Sequence, residues 1–406
     1  MASPLDDRTR AIISACVPAL QAHGLAITTE MYRRLLSNAD IRGLFNMSHQ
    51  RDGEQPRALA LAVLAYARNI DNPGALSAMV ERIAQKHAGL NILPQHYPYV
   101  AEALLGAIAH VLGDAATPEI MEAWGKAYWF LAEILIGREE QIYVAHAAAP
   151  GGWVGWRAFR VSARRAESAD VTSFELVPQD GGPVMRHVPG QYLGFRLDVP
   201  GTGEECRNYS ISSAPDDRHY RISVRRIDKG VVSDWLHDSV AEGTVVQVSA
   251  PAGDFTLDSP PQAPIVFLSA GVGLTPFISM LGALDAAGTT GAATPVRYIH
   301  GTRGPKAEAF GDYIRDLAAR GRIRADIFYS REAPRAGSAP AGVTWHDGRI
   351  TPQWLKGQID PRATCYICGP DGFMRDMIAT LKEAGVPEAR IRYEFFGPAA
   401  DAALAG

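Results

Sequence analysis

His87 closes the run Ala78-Met79-Val80-Glu81-Arg82-Ile83-Ala84-Gln85-Lys86-His87, and Gly89 ends the segment. Met79, Val80 and Ile83 recur at helical spacing. His87 falls four after Ile83, on the same apolar stripe. An imidazole there is either a core residue satisfied by hydrogen bonds or a ligand to something held against that face. A second pattern lies far downstream, in Ser269-Ala270-Gly271-Val272-Gly273-Leu274-Thr275-Pro276. It follows an apolar strand and opens a helix. Gly271 and Gly273 permit a tight turn and close approach of a pyrophosphate to backbone N–H groups. Thr275 is a candidate helix cap, and Pro276 suits the first helical position. A lone G-x-G without the third glycine of the dinucleotide fingerprint equally describes a structural turn. The third pattern is Arg207-Asn208-Tyr209-Ser210. On a strand, Arg207 and Tyr209 share one face, and Asn208 and Ser210 the other. That pairs a phosphate-reading guanidinium with an aromatic platform. Pro189-Gly190-Gln191-Tyr192 upstream adds another aromatic, and Gly230-Val231-Val232-Ser233 downstream offers a helix start with free amides.

The elements that must position these residues change along the chain. Residues 1–146 read as all helix, with apolar positions three and four apart through Ile12–Leu20, Met31–Leu36, Leu59–Ile70, Met79–His87, Val100–Leu112 and Ile120–Ile142. Stops are expected at Gly24, Pro73-Gly74, Gly89 and Gly113. A small-residue linker, Ala145 to Gly152, follows. Over 153–260 the period switches to two. Strands are expected at Phe159–Ser162, Thr172–Val177, Tyr192–Leu197, Tyr209–Ser212, Tyr220–Arg225 and Val245–Ser249, which suggests an antiparallel β-barrel. Residues 261–406 alternate strands and helices. The strands are Ile265–Leu268, Val296–His300, Asp326–Tyr329, Cys365–Cys368 and Ile391–Phe395, separated by helices Phe277–Leu284, Asp312–Arg320, Pro352–Gln358 and Phe373–Glu383. That pattern describes an α/β doubly wound parallel sheet. The fold class is therefore multidomain: all-α, then β-barrel, then α/β.

At 406 residues the chain is too long for one core. A net charge of −4 gives no electrostatic reason to expect nucleic acid or an anionic membrane surface as partner. The N-terminus has no basic flank or apolar core of a signal peptide, and the longest apolar stretch, Ala58 to Ala67, is too short to span a bilayer. Cytoplasmic localisation without integral membrane association is the expectation. Four cysteines make no disulfide framework. Cys365 and Cys368 form a C-x-x-C, but on a strand residues three apart point to opposite faces. A zinc or thioredoxin-type site is therefore not expected.

R-x-Y-S at Arg207–Ser210, the G-V-V-S turn at Gly230–Ser233, A-G-V-G-x-T-P, Cys368-Gly369-Pro370 and the terminal Glu394-Phe395-Phe396-Gly397-Pro398 together resemble the ferredoxin–NADP reductase family. The resemblance implies that Arg207 binds FAD phosphate, Tyr209 packs on the isoalloxazine and Ser210 reaches the flavin N5. It also implies that the Ala270–Thr275 turn meets the nicotinamide nucleotide. With the helical half, the whole chain resembles the flavohaemoglobins. This implies haem b on His87, a phenylalanine packed on haem at Phe45, and distal residues Tyr32, Gln55 and Leu59. In the residues themselves, Tyr32 sits on the Tyr32/Leu35/Leu36 stripe and Gln55 begins a helix, with Leu59 one turn on. Lys86 and Glu394 match positions that the family uses to tune the haem and flavin potentials.

Trp124, Tyr128, Ala132, Leu135 and Glu139 are nearly collinear on the last helix of the first region. Glu139 is thus an acid at the edge of an apolar face. It either reaches water at a frayed end or accepts the other N–H of His87, with Tyr97 able to join them. The resemblance assigns Tyr97 and Glu139 to that relay. It also implies a nitric oxide dioxygenase with one haem, one FAD and NADH or NADPH, in a monomer whose distal pocket can hold lipid. The alternatives are an NAD(P)H-dependent reductase of ferric, quinone or hydroperoxide substrates, and a haem-based oxygen store or gas sensor. The second parallel strand runs into Gly301-Thr302-Arg303-Gly304. Arg303 there is expected near the ribose phosphate of NADPH.

Overall fold

The structure is a computed structural model that describes residues 4–38, 41, 43, 53–289, 294–332 and 339–397. Phe45 and Pro398 lie outside them. The chain separates into two compact units. One contains Met1–Trp156 and Gly194–Arg207, the other Arg157–Leu193 and Asn208–Phe396.

The first unit is built on helices α1 (Asp7–Ala15), α2 (Val17–Leu35), α3 (Glu54–Arg68), α4 (Ser77–Gly89), α5 (Tyr97–Leu112) and α6 (Pro118–Ala148). Two expectations are corrected here. The Ile12–Leu20 pattern is broken at Cys16, which caps α1 and precedes the proline of α2. Gly24 is no stop, because α2 runs through it. Gly24 faces α3, where a Cβ would make an ordinary contact 3.7 Å from Ala60 Cβ. One turn later the Thr28 hydroxyl donates to the Pro56 carbonyl at 2.8 Å. The core joins Ile13, Ile27, Met31, Tyr32, Leu35, Tyr66, Leu104, Ile108 and Trp124. A smaller cluster, Ala84, Ala88, Tyr97, Ala132, Leu135 and Ile142, lies between α4, α5 and α6.

Strands β1 (Arg157–Ala166), β2 (Val171–Pro178), β3 (Tyr192–Val199), β4 (Gly203–Ser210), β5 (Tyr220–Arg225) and β6 (Val245–Val248) form a sheet of order β4-β3-β6-β1-β2-β5. The β1–β2, β1–β6 and β2–β5 pairs are antiparallel. β4 differs from the expected Tyr209–Ser212. It starts at Gly203, which like Gly201 has positive φ, and its polar opening, Glu204-Glu205, hides it from an apolar-alternation reading. Helix α7 (Val231–Asp238) follows β5.

β7 (Ile265–Ala270), β8 (Val296–Thr302), β9 (Arg324–Tyr329), β10 (Val343–Asp347), β11 (Thr364–Cys368) and β12 (Ile391–Glu394) form the second sheet, in order β10-β9-β8-β7-β11-β12. Every pair is parallel. Helices α8 (Thr275–Ala286), α9 (Gly311–Ala319), α10 (Pro352–Lys356) and α11 (Asp371–Glu383) connect the strands. β10 was not expected, because it is a short edge strand whose burial follows no alternation. Chain order reverses between β7 and β11. That crevice at the carboxyl ends of the strands is where open α/β sheets bind ligands.

Candidate functional sites

In the helical unit, His87 occupies the last turn of α4. Its Nδ1 lies 2.6 Å from Glu139 Oε1 and 3.2 Å from Tyr97 Oη. Tyr97 Oη donates to the same Oε1 at 2.7 Å. Glu139 is 1% exposed, so it is not a frayed end reaching water. A carboxylate accepts, so Nδ1–H is the donor to Glu139, and Nε2 is the ring nitrogen that faces away from the pair. Burial, reinforced by the Glu139 charge, raises the Tyr97 pKa and keeps its phenol a neutral donor. Lys86 precedes His87 on α4.

On α2, Tyr32 is buried and shares a side-chain hydrogen bond with Gln55. The Thr28–Pro56 bond, one turn before Tyr32, docks the start of α3 and so brings Gln55 to it. Leu59, one turn further along α3, is partly buried against the same core. Burial raises the Tyr32 pKa, so its hydroxyl stays protonated and available as a donor. An imidazole oriented through Nδ1 by a carboxylate, and a buried phenol bonded to an amide on other helices of the same unit, fit a haem group.

On β4, Arg207 is 14% exposed at the side chain and pairs with Glu205 at 2.8 Å. It also donates to the Cys206 carbonyl at 2.7 Å. Glu205 gave no sequence signal beyond its acidity. Tyr209 is half-buried, Asn208 exposed and Ser210 buried, so Asn208 and Ser210 share a strand face but not an environment. In the second unit, Tyr192 is buried, and burial with the charges of Glu394 and Asp254 raises its pKa well above the usual value. A Cβ on Gly253 would fall 3.0 Å from the Tyr192 ring, so glycine leaves the space the ring uses. Gly230 caps α7, with Val232 and Ser233 buried in its first turn. Ser233 Oγ accepts from the Ile227 amide at 3.1 Å, which ties the first turn of α7 to the loop after β5.

The glycine turn lies at the sheet's reversal point. Gly271 has φ +56°. A Cβ on Gly273 would sit 2.2 Å from the Cys368 carbonyl oxygen and 2.7 Å from the Gly369 amide nitrogen. Only glycine lets Ala270–Leu274 pass against Cys368-Gly369-Pro370. Gly271–Leu274 forms a 3-10 turn, and the N-cap of α8 is Leu274, without a side-chain cap. Thr275 is therefore no cap, and its hydroxyl donates back to the Val272 carbonyl at 3.1 Å. Pro276 stands in the first turn of α8 as expected. Phe395 is buried after β12, Phe396 is 43% exposed, and Gly397 is partly buried. Cys365 and Cys368 lie buried on β11 as free thiols, and no group of three metal-binding side chains occurs among the described residues. None of their helices is singly long and apolar enough to cross a membrane.

Sequence reasoning missed the residues that brace these groups. Arg138 on α6 holds Glu81 of α4 through bonds of 2.6 and 3.0 Å. Tyr128 Oη donates to the Tyr97 carbonyl and Tyr143 Oη to the Ile92 carbonyl, each at 2.7 Å. The signal was available for Tyr143, which falls four after Glu139 on the same helix.

Comparison with known proteins agrees with this arrangement. Residues 29–135 match the globin family, and residues 158–257 the oxidoreductase FAD-binding domain family. A flavohemoprotein of Xylella fastidiosa is 46% identical over 400 residues, covering 98% of each chain. The solved structure of a flavohemoglobin from Malassezia yamatoensis with bound FAD and heme superposes with TM-score 0.85 at 28% identity. It covers 97% of this chain and 100% of that one. The FAD/NAD-binding domain of a nitric oxide dioxygenase from Vibrio cholerae is 36% identical, with TM-score 0.53, over 60% of this chain and 99% of that domain.

Proposed function

This chain belongs to the flavohemoprotein family, and from that premise we propose that it is a nitric oxide dioxygenase. It is an NAD(P)H-dependent haem oxidoreductase with a globin, FAD and a nicotinamide nucleotide. When bound, FAD would supply hydride acceptance from NAD(P)H and one-electron transfer, and haem would supply the iron at which dioxygen, nitric oxide and one electron give nitrate. The observation that carries the reading is the His87–Glu139–Tyr97 relay. A globin that only stores oxygen has no need of an imidazole made more basic by a buried carboxylate; one that activates oxygen does.

Each residue then has a task. Glu139 accepts the Nδ1 proton of His87 and raises the donor strength of Nε2. Tyr97 holds the Glu139 oxygen and supplies no charge of its own. The Tyr32 hydroxyl, held by Gln55 in a buried site, stabilises the negative charge that dioxygen takes up on reduction. Leu59 helps to keep water from the distal space, and Phe45, outside the described residues, takes by family resemblance the place of the phenylalanine that packs on haem. In the reductase half, Arg207 binds the FAD phosphates, Tyr209 and Tyr192 pack on the flavin, and Ser210 holds its N5 edge. The first-turn amides at Val232 and Ser233 receive phosphate. The Gly271–Gly273 turn and Cys368–Pro370 hold the nucleotide, with Glu394 and the residues after it beside the flavin.

His87→Ala tests the division of labour. It should lose the Soret band and all nitrate formation, yet retain FAD and NAD(P)H oxidation by an artificial acceptor. A normal Soret band in that variant overturns the ligand assignment.

A further inference from the structure

Helix α6 holds both ends of the proximal histidine. The side chain of His87 is taken by Glu139 Oε1 at 2.6 Å. Its backbone carbonyl accepts from the Ile92 amide at 3.0 Å, and the Ile92 carbonyl in turn accepts from Tyr143 Oη at 2.7 Å. Tyr143 and Glu139 are one helical turn apart on α6. Five links close a ring: imidazole, carboxylate, one turn of α6, phenol, and the 87–92 turn back to His87.

We propose that Tyr143 is a positioning residue for the His87–Glu139 pair, fixing the azimuth at which the imidazole meets the carboxylate and hence the donor strength of Nε2. The inference rests on the reading of His87 as haem ligand. The 87–92 segment makes the need for such a tether plain. α4 ends at Gly89, and Asn91 has positive φ, so the chain reverses within a few residues of the ligand. Intrasegment bonds hold the turn together, namely Leu90 N and Ile92 N to the His87 carbonyl and Asn91 N to the Ala88 carbonyl. None of these fixes the turn relative to Glu139. The Tyr143 hydroxyl does, from the helix that carries the carboxylate. Glu139 meets both His87 and Tyr97 through the single oxygen Oε1, and Oε2 has no hydrogen-bond partner among the described residues. Both bonds converge on one atom, so neither of them anchors the 87–92 turn to α6. The phenol is half-buried, and burial, then the nearby Glu139 charge, raises its pKa, so it remains a donor throughout the neutral range.

The experiment uses the full-length holoprotein. Tyr143→Phe keeps the ring and removes the donor, and Tyr143→Leu removes the donor with a different shape. Glu139→Gln is the reference for a weakened relay. The readouts are the iron–histidine stretching frequency of the ferrous protein by resonance Raman, the haem midpoint potential and haem content. Both Tyr143 variants should retain haem and normal NAD(P)H-to-flavin transfer. Both should move the stretching frequency down and the potential up, in the direction of Glu139→Gln. Nitrate turnover should fall about tenfold, the lower end of what loss of an outer-sphere partner costs a metal site. A shift in Glu139→Gln with wild-type values in both Tyr143 variants overturns the proposal and leaves the relay standing. Lower thermal stability alone, with frequency and potential unmoved, also overturns it. No shift in any of the three variants overturns the relay reading and the proposal with it.

Discussion

Arg303, in the turn after β8, is ion-paired with Asp170 of the turn between β1 and β2. The two turns are further joined by the Ala169 amide, which donates to the Lys306 carbonyl at 2.8 Å. The arginine expected near the ribose phosphate of NADPH is therefore held by a carboxylate. Its side chain is 54% exposed, so the pair is weak and a doubly charged phosphate can displace the carboxylate. NADPH should be accepted. Arg303→Ala should lower the NADPH-to-NADH ratio of kcat/KM for flavin reduction, and Asp170→Asn should raise it. Ratios unchanged in both variants show that nucleotide choice is read elsewhere.

Tyr32→Phe removes one hydrogen bond to a charged ligand, worth about 1.5–3 kcal/mol. Oxygen dissociation from the ferrous protein should accelerate roughly ten- to a hundredfold. Carbon monoxide, less polar when bound, should dissociate nearly as before. Flash photolysis or stopped-flow mixing checks both, and an oxygen off-rate equal to that of the parent removes Tyr32 from the role.

Two buried histidines in the reductase half make its stability pH-dependent. Burial lowers His187 and His300 from 6.5 to about 4. His187 Nε2 lies 2.9 Å from Ser279 Oγ, and His300 Nδ1 2.9 Å from Ser269 Oγ. Below pH 6.5 the unfolded chain binds protons at these positions and the folded chain does not. Stability is thus full above 6.5 and falls as pH drops toward 4. Urea midpoints followed by circular dichroism should decline between pH 7 and pH 5. The decline should be shallower in the His187→Asn/His300→Asn double variant. An equal slope in both proteins would assign the acid sensitivity to other groups.

What could be read from residue order alone follows a physical division. The Gly271–Gly273 turn was legible because backbone geometry leaves no residue but glycine where a Cβ would strike the Cys368 carbonyl. His87 was legible because its helix is strongly periodic and short. Gly24 misled because a glycine carried inside a helix has the same letter as one that ends it, and only the helix continuing through to Leu35 distinguishes them. β10 was lost because an edge strand need not alternate. Thr275 misled because the 3-10 turn at Gly271–Leu274 moves the cap one residue upstream of the best capping side chain. Glu139 stood undecided between water and His87 because the periodic pattern stops at Ile142, whereas α6 runs on to Ala148 and the groups that bury Glu139 are distant in sequence.

The central claim, that this chain turns nitric oxide and dioxygen into nitrate with electrons from NAD(P)H, is tested most directly by stoichiometry. Nitric oxide, oxygen and NAD(P)H consumption would be followed together in the purified holoprotein, with nitrate and hydrogen peroxide measured at the end. One electron per nitric oxide and two per NAD(P)H give an expected ratio of two nitric oxide and two dioxygen consumed, and two nitrate formed, for each NAD(P)H oxidised. NAD(P)H oxidation at a rate indifferent to nitric oxide, with peroxide in place of nitrate, would contradict it.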